Sequence, residues 1–429
     1  MELFLLIFVA IAVLGLFSAW PYLSLISLSF SLPFIGWSFS FGSLEFPLVD
    51  LVASLSLFAF FLGSLIDLVS KKNKFKPWRL PLIFPLGIFI VFCFASSVFS
   101  PNPAYSLWYL IRWPVFMYLA YIFLPYNLIN SARDIKAAAI AIVISAGLVI
   151  VSGYLSLWGQ DWQNSFFRLN SVSWFGIYPF GENHNLIAEF LNVGAFLILM
   201  LRALTKKEKE RRLWDIAFVI SCLGIILTFS RAGWITLALQ LVIYIWINFQ
   251  TKKKKSVNLV LGMVGIIVLL LPFFWHMSNL QADNVSSTEN RWLLTEIAWK
   301  SFLDKPILGH GSGQFINLVS GSIRFTAKYG EATDSHGFVQ KIIAENGALG
   351  LGAWLFIIAV LSQIFVKALK RYPGSSHWLL PLILAGAGGL FFQLFNTSYF
   401  KGKVWLPIAL GLAAVRLLEE KRHKNISNE

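Results

Sequence analysis

Long apolar stretches alternate with short polar segments along the whole chain. A helix needs about 20 apolar residues to cross the roughly 30 Å hydrocarbon core of a bilayer. The predicted spans are 3–20, 46–69, 80–99, 106–124, 136–157, 184–203, 213–229, 231–249, 257–276, 337–366, 377–395 and 402–418. Because backbone groups in lipid need partners within the protein, this pattern predicts an all-α, polytopic transmembrane helical bundle of about twelve spans. The whole chain, 1–429, is then one integral membrane domain.

One apolar stretch does not fit a simple span. The segment 21–45 is interrupted by Pro21, Pro33 and Gly36. Proline and glycine end or bend helices, so this segment has the pattern of a re-entrant or interfacial element.

A long polar loop, 277–336, separates the ninth and tenth predicted spans. It contains a helical pattern near 289–303, in which Thr288 would cap the first turn. One face of that helix is apolar at helical spacing: Leu294, Ile297, Ala298 and Phe302. Pro306 would end it, and a glycine-rich turn follows. A loop of this length is uncommon unless it is functional.

Charge is sparse and unevenly placed. The chain is 57% hydrophobic and 13% charged, with a formal charge of +14. Most of the basic residues lie in short runs between apolar spans, at 71–79, 133–136, 202–212, 252–255, 367–371 and 416–424. Such runs are typical of cytoplasmic loops. They predict a multi-pass protein of the cytoplasmic (inner) membrane with both termini in the cytoplasm and loop 277–336 outside. They also argue against nucleic acid as a partner and for membrane lipids.

Motifs for soluble cofactors are missing from the sequence. It contains no nucleotide phosphate loop, no Rossmann glycine fingerprint and no HExxH motif. Both cysteines, Cys93 and Cys222, lie inside apolar spans, where they are expected to be small core residues. We therefore expect no metal site, no cofactor and no need for ATP.

Three polar residues are the leading candidates for chemistry. Arg231 begins the eighth span, Arg291 lies in the first turn of the predicted loop helix, and His336 opens the tenth span. Each has an ordinary explanation. Arg231 would be an arginine that snorkels to the membrane interface, and Arg291 would be a solvated surface charge. His336 would be a histidine in a solvated capping region, with Ser335 or Asp334 as the cap. The chemical alternative is a pair of anion ligands, since a guanidinium fits phosphate oxygens, together with a general base.

The protonation of His336 stays open at this point. A helix N-terminus would lower the pKa of its imidazole, whereas the neighbouring Asp334 would raise it. Three further residues are weaker candidates for substrate binding: Arg168 in the aromatic loop 158–183, His184 at the start of the sixth span, and Arg112 within the fourth. A capping role is an equal alternative for His184.

Five short motifs in 215–365 together resemble the O-antigen ligase and polymerase superfamily. They are Ser230-Arg231-Ala232-Gly233, Arg291 with Trp292 and Trp299, Pro306 to Phe315, Ser335-His336-Gly337-Phe338, and Glu345 to Gly350. Each motif is weak by itself, but their order and spacing make the set fairly specific. Many members of the superfamily have asparagine where this chain has Gly337.

The resemblance implies a bacterial GT-C-type glycosyltransferase of cell-surface polysaccharide biosynthesis. Such enzymes pass a glycan from a polyprenyl-pyrophosphate carrier to an acceptor hydroxyl on the outer face of the membrane. In the ligases, the matching arginines bind the pyrophosphate and the matching histidine deprotonates the acceptor, which gives these roles to Arg231, Arg291 and His336. A lipopolysaccharide-type lipid, a glycan and a protein all remain possible acceptors, so polymerase and protein O-oligosaccharyltransferase are alternatives. A transporter or flippase, favoured by Arg112, and a non-catalytic scaffold are alternatives of other classes.

Overall fold

A computed structural model describes residues 2–41, 44–69, 77–158, 160, 168–250, 265 and 283–426 of the chain. The helices up to the long loop are α1 (Glu2–Ala19), α2 (Pro21–Ser31), α3 (Leu48–Val69), α4 (Ile83–Val98), α5 (Pro103–Leu110), α6 (Leu124–Leu128), α7 (Ala132–Trp158), α8 (His184–Leu204), α9 (Glu208–Leu227) and α10 (Arg231–Gln250). The later helices are α11 (Asp283–Asp304), α12 (Phe315–Ser320), α13 (Ile323–Tyr329), α14 (Phe338–Arg371), α15 (Ser376–Phe392) and α16 (Gly402–Ile426). Two π-helical segments, Ile111–Val115 and Tyr118–Phe123, join α5 to α6.

The predicted helical, polytopic architecture is confirmed. Within the described residues, six helical segments are long and apolar enough to cross a membrane: Leu48–Val69, Pro103–Leu128, Ala132–Trp158, His184–Leu204, Phe338–Arg371 and Pro373–Phe395. Phe8–Ala19 and Ile83–Val98 are shorter apolar helices. The number twelve stays a prediction, and the predicted span 257–276 lies outside the described residues.

The described residues of the interrupted segment 21–45 form a helix followed by two paired strands, the second of which extends to Pro47. Pro21 occupies the first turn of α2, where its missing N–H costs nothing. Strands β1 (Ser38–Phe41) and β2 (Leu44–Pro47) pair antiparallel, with Ser38 opposite Pro47. A Cβ atom on Gly36 would lie 2.0 Å from the Tyr178 carbonyl oxygen. Glycine therefore allows this segment to pack against the aromatic loop that precedes α8.

Helix α8 is the centre of the bundle. Every residue from Ile187 to Leu201 is buried, and the helix packs against α7, α9, α10 and α15. A helix that is apolar on all sides is expected to be surrounded by other elements. The packing of this buried run fixes the position of α8, which begins at His184.

Helix α14 is broken at Gly347, where the backbone has φ 62° and ψ −160°. This conformation is almost restricted to glycine. The break separates four backbone groups from their helical partners: the carbonyls of Ala344 and Glu345 and the amides of Ala348 and Leu349. Unpaired groups of this kind are costly in a membrane.

The glycine-rich turn after α11 replaces the lost hydrogen bonds. The amides of His310 and Gly311 donate to the Ala344 and Glu345 carbonyls at 3.0 and 2.8 Å. In return, the amides of Ala348 and Leu349 donate to the Pro306 and Ile307 carbonyls at 2.8 and 3.3 Å. Such a close backbone approach excludes side chains, since a Cβ atom on Gly309 would lie 2.4 Å from the Glu345 carbonyl carbon.

The helices of the long loop pack around a small core of their own, to which α14 also contributes. Its buried members are Leu293, Leu294, Ile297, Ala298, Phe315, Val319, Phe325 and Ala344. Three of the four residues predicted to share the apolar face of the loop helix lie in this core. The helix itself is longer than predicted, because it begins at Asp283. Thr288 therefore lies inside α11, and the prediction that it caps the first turn is wrong.

We expect Gly347→Ala to destabilise the protein and Gly352→Ala, in the same helix, to leave it as stable or more stable. An alanine at position 347 would strain the backbone by about 1–3 kcal/mol, and its Cβ would lie 2.4 Å from the Ile307 carbonyl oxygen. Position 352 has open space around its Cβ, and alanine favours helix by about 1 kcal/mol. Thermal unfolding in detergent measures both; equal midpoints would contradict this account of the break.

Candidate functional site

The Ser230-Arg231 motif is the start of helix α10. The Ser230 hydroxyl accepts a hydrogen bond from the Gly233 amide at 3.1 Å, as a helix cap does. The same hydroxyl donates to the Asn185 side-chain carbonyl at 2.6 Å. Ser230 therefore caps the start of α10 and ties it to the first turn of α8, which fixes the position of the adjoining Arg231.

Gly233 lets α10 approach α8 closely. A Cβ atom on this residue would lie 2.8 Å from the Ala188 Cβ. The Asn192 side-chain amide donates to the Gly233 carbonyl at 3.3 Å. Ser230 and Gly233 thus position the backbone of this motif, and the side chain of Arg231 can contribute to the site.

Arg291 faces the same region from α11. Its guanidinium is partly buried, and burial lowers its pKa, as does the positive charge of Arg231 to a smaller extent. The Arg291 Nε atom is buried and has no hydrogen-bond partner among the described residues. Because α11 begins at Asp283, Arg291 lies well inside the helix. Its predicted place in the first turn is wrong, and free helix N–H groups do not contribute there.

His336 lies in the turn that leads into α14. The helix begins at Phe338 with Gly337 as its N-cap, so neither Ser335 nor Asp334 is the cap. Burial lowers the pKa of the His336 imidazole, and the positive charge of Arg291 lowers it further. The negative charge of Asp334 acts in the opposite direction and does not outweigh them. The balance of these effects favours the neutral imidazole.

Arg168 and His184 complete this cluster. The positive charges of Arg168 and Arg291 both act on the His184 imidazole. Asn183 caps α8, with its side-chain oxygen accepting from the Asn185 amide at 2.8 Å, so His184 is not the cap. Five partly buried residues from separate elements thus lie together: Arg168, His184, Arg231, Arg291 and His336. We call them the cationic cluster.

A comparison with protein families finds a match over part of the chain. Residues 216–355 match the family model described as O-antigen ligase. This part of the chain is similar to the O-antigen ligases. The match spans α9 to the first half of α14 and includes Arg231, Arg291 and His336, whereas Arg168 and His184 precede it. No curated protein matches the chain.

Residues 216–355 are thus similar to O-antigen ligases, and the apolar helices are those of a membrane protein. The resemblance stated from the sequence motifs is confirmed. Within the described residues, no group of three or more histidine, cysteine or acidic side chains is placed to hold a metal ion.

Arg112 lies in a different charged group, outside the O-antigen ligase match. Its guanidinium forms a 2.5 Å ion pair with Asp50, whose carboxylate is only 3% exposed. The Tyr121 hydroxyl donates to the same carboxylate at 2.6 Å, and the guanidinium also lies 4.3 Å from the Trp113 ring centre. The charge of Arg112 is therefore already balanced, and its predicted role as an anion ligand gains no support from this geometry.

Two buried charge pairs near helix starts were not predicted. Lys403 contacts Glu189 at 2.6 Å, and Gln393 and Asn396 also donate to that carboxylate at 2.8 Å. Lys341, in the first turn of α14, contacts Asp334 at 2.6 Å. A signal for both was present in the sequence, since a charged residue inside an apolar span is rare and usually paired.

We expect Ser230→Ala to lower the free energy of unfolding by about 1 kcal/mol, because the α10 cap is lost and Asn185 loses its partner. Ser221→Ala in α9 is the matched control. The Ser221 hydroxyl donates only to the Ala217 carbonyl one turn earlier, at 2.8 Å, and such a bond adds little. Steric trapping in bicelles measures both values; losses of equal size would show that Ser230 does not hold the helices together.

Proposed function

We propose that this protein transfers a glycan from a polyprenyl-pyrophosphate carrier to an acceptor hydroxyl on the extracytoplasmic face of the inner membrane. The main support is the cationic cluster, which combines three arginines with two histidines beside and within the O-antigen ligase match. Loop 277–336 would lie outside the cell membrane and both termini inside.

Mutual repulsion in the cluster favours a bound anion. Arg231 lowers the pKa of Arg291, which means that the two positive charges oppose each other. Within the described residues, neither arginine has a carboxylate in salt-bridge contact. A diphosphate would supply the missing negative charge, and guanidinium groups bind phosphate oxygens in a bidentate manner. Arg168 and His184 would line the same pocket.

His336 has the protonation state that a general base needs. In the proposed reaction, its neutral imidazole accepts the proton of the acceptor hydroxyl as that oxygen attacks the anomeric carbon of the donor glycan. The bond from this carbon to the diphosphate oxygen breaks, and the polyprenyl diphosphate leaves with the electron pair. Arg231 and Arg291 stabilise the negative charge that develops on the leaving group. A single displacement of this kind inverts the anomeric centre.

The acceptor defines the remaining alternatives. A lipid acceptor makes the protein an O-antigen ligase, a second glycan makes it a polymerase, and a protein makes it an O-oligosaccharyltransferase. Gly337 bears on this choice, because a Cβ atom there would lie 2.6 Å from the Leu394 carbonyl oxygen. An asparagine would not fit at this position without a shift of the backbone next to His336.

We expect Arg231→Ala, Arg291→Ala and His336→Ala each to lower the transfer rate. The loss of an electrostatic stabiliser costs about 10²–10³ in rate, and the loss of a general base about 10²–10⁴. Purified protein is assayed with a polyprenyl-diphosphate-linked glycan and several acceptors, in EDTA and without ATP. Product masses then distinguish ligase from polymerase.

Arg324→Ala is the matched control for the arginine variants. Arg324 lies on α13 with its side chain 74% exposed and paired with Glu296 at 3.2 Å, so its removal is expected to change the rate less than about twofold. Full transfer by Arg231→Ala would refute the proposed function. Solute uptake by proteoliposomes that is lost in Arg112→Ala, with no transfer by the wild type, would favour a transporter instead.

A further inference from the structure

Lys341 is a buried cation close to the cationic cluster. Its side chain is 4% exposed and lies in the first turn of α14. The ammonium group donates to both oxygens of Asp334, at 2.8 and 2.6 Å. It also lies 3.7 Å from the Glu345 carboxylate and 5.5 Å from the Tyr109 ring centre. An ammonium that is removed from water needs such partners.

Asp334 connects this lysine to the turn that carries His336. One Asp334 oxygen accepts a hydrogen bond from the Ser335 amide at 2.8 Å. The Ser335 hydroxyl then donates to the Gly337 carbonyl at 2.9 Å. The residues on both sides of His336 are thus held, and Lys341 anchors this turn to the helix that follows it.

Glu345 makes a different contact. Its carboxylate accepts a hydrogen bond from the Phe315 amide at 3.1 Å, which links it to the end of the glycine-rich turn. Lys341 therefore balances two carboxylates, of which only Asp334 is next to His336. The Asp334 carboxylate is 34% exposed, and Lys341 is the charged side chain that contacts it.

We propose that Lys341 is a positioning residue for His336: through its ion pair with Asp334 it holds the 334–337 turn in place and keeps the Asp334 charge from acting fully on the imidazole. This inference rests on the proposed function, because it takes His336 as the base of the transfer reaction. Lys341 acts only through Asp334 and does not touch the substrate.

The sign of the effect follows from the charges that face His336. Asp334 raises the pKa of the imidazole, while burial and Arg291 lower it. With Lys341 removed, Asp334 would act more strongly, and His336 would stay protonated to a higher pH. The acid limb of the pH–rate profile reports the pKa of the base. That limb lies below the ordinary histidine value in the wild type and would move upward in the variant.

The test compares pH profiles of kcat/KM for Lys341→Met, Asp334→Asn and the double variant, from about pH 5 to about pH 9. We expect Lys341→Met to move the acid limb upward by about 1 pH unit and Asp334→Asn to move it downward. The double variant should follow Asp334→Asn, because the lysine has no effect once the carboxylate is gone. Lys341→Arg should restore most of the wild-type profile.

Lys300→Met is the control for loss of a lysine. Lys300 is 73% exposed and pairs with Glu296 on α11, so the acid limb should not move. A lower rate in Lys341→Met and Asp334→Asn with unmoved limbs would overturn the inference and leave a purely structural role. If Lys341→Met fails to fold, an acid limb of the pH–rate profile that does not move in Asp334→Asn alone would also overturn the inference. Full transfer by His336→Ala would instead remove the proposed function itself.

Discussion

The structure depends on the exchange of backbone hydrogen bonds between the broken helix α14 and the glycine-rich turn. Four bonds cross this contact, from 306–311 to 344–349. They satisfy groups that the break at Gly347 would otherwise leave unpaired. The same contact joins the end of α11 to the first half of α14. Helix α11 carries Arg291, and α14 begins just after His336. This contact therefore helps to place the elements that carry two residues of the cationic cluster.

Electrostatics gives the cluster its chemical character. Arg231 and Arg291 repel each other, while neighbouring charged groups are balanced in pairs: Arg112 with Asp50, Lys403 with Glu189, and Lys341 with Asp334. A fold that pairs most of its buried charges but leaves two arginines facing each other is well suited to bind an anionic ligand. A bound diphosphate would offset this repulsion.

Three residues of the candidate site stand out in the sequence, because Arg231 and His336 are polar residues at the edges of apolar spans and Arg291 lies in the helix of the long polar loop. The sequence also indicated the loop helix and its apolar face. It did not indicate that the helix begins at Asp283, since local capping signals favoured Thr288. The partner of Arg112, Asp50, is 62 residues away along the chain. The close approach of the backbone at Gly309 to the backbone at Gly347 exists only after the two segments pack. Contacts of this kind depend on tertiary structure, which a single sequence does not display.

The central claim is that Arg231 and Arg291 hold the diphosphate of a lipid-linked donor. The most direct test is a cryo-electron microscopy structure of the wild-type protein in nanodiscs with a sugar-free polyprenyl diphosphate, which binds but has no glycan to transfer. We expect density for the two phosphates in contact with both guanidinium groups and beside His336. Density for the diphosphate next to Arg112, with the cationic cluster empty, would contradict this proposal.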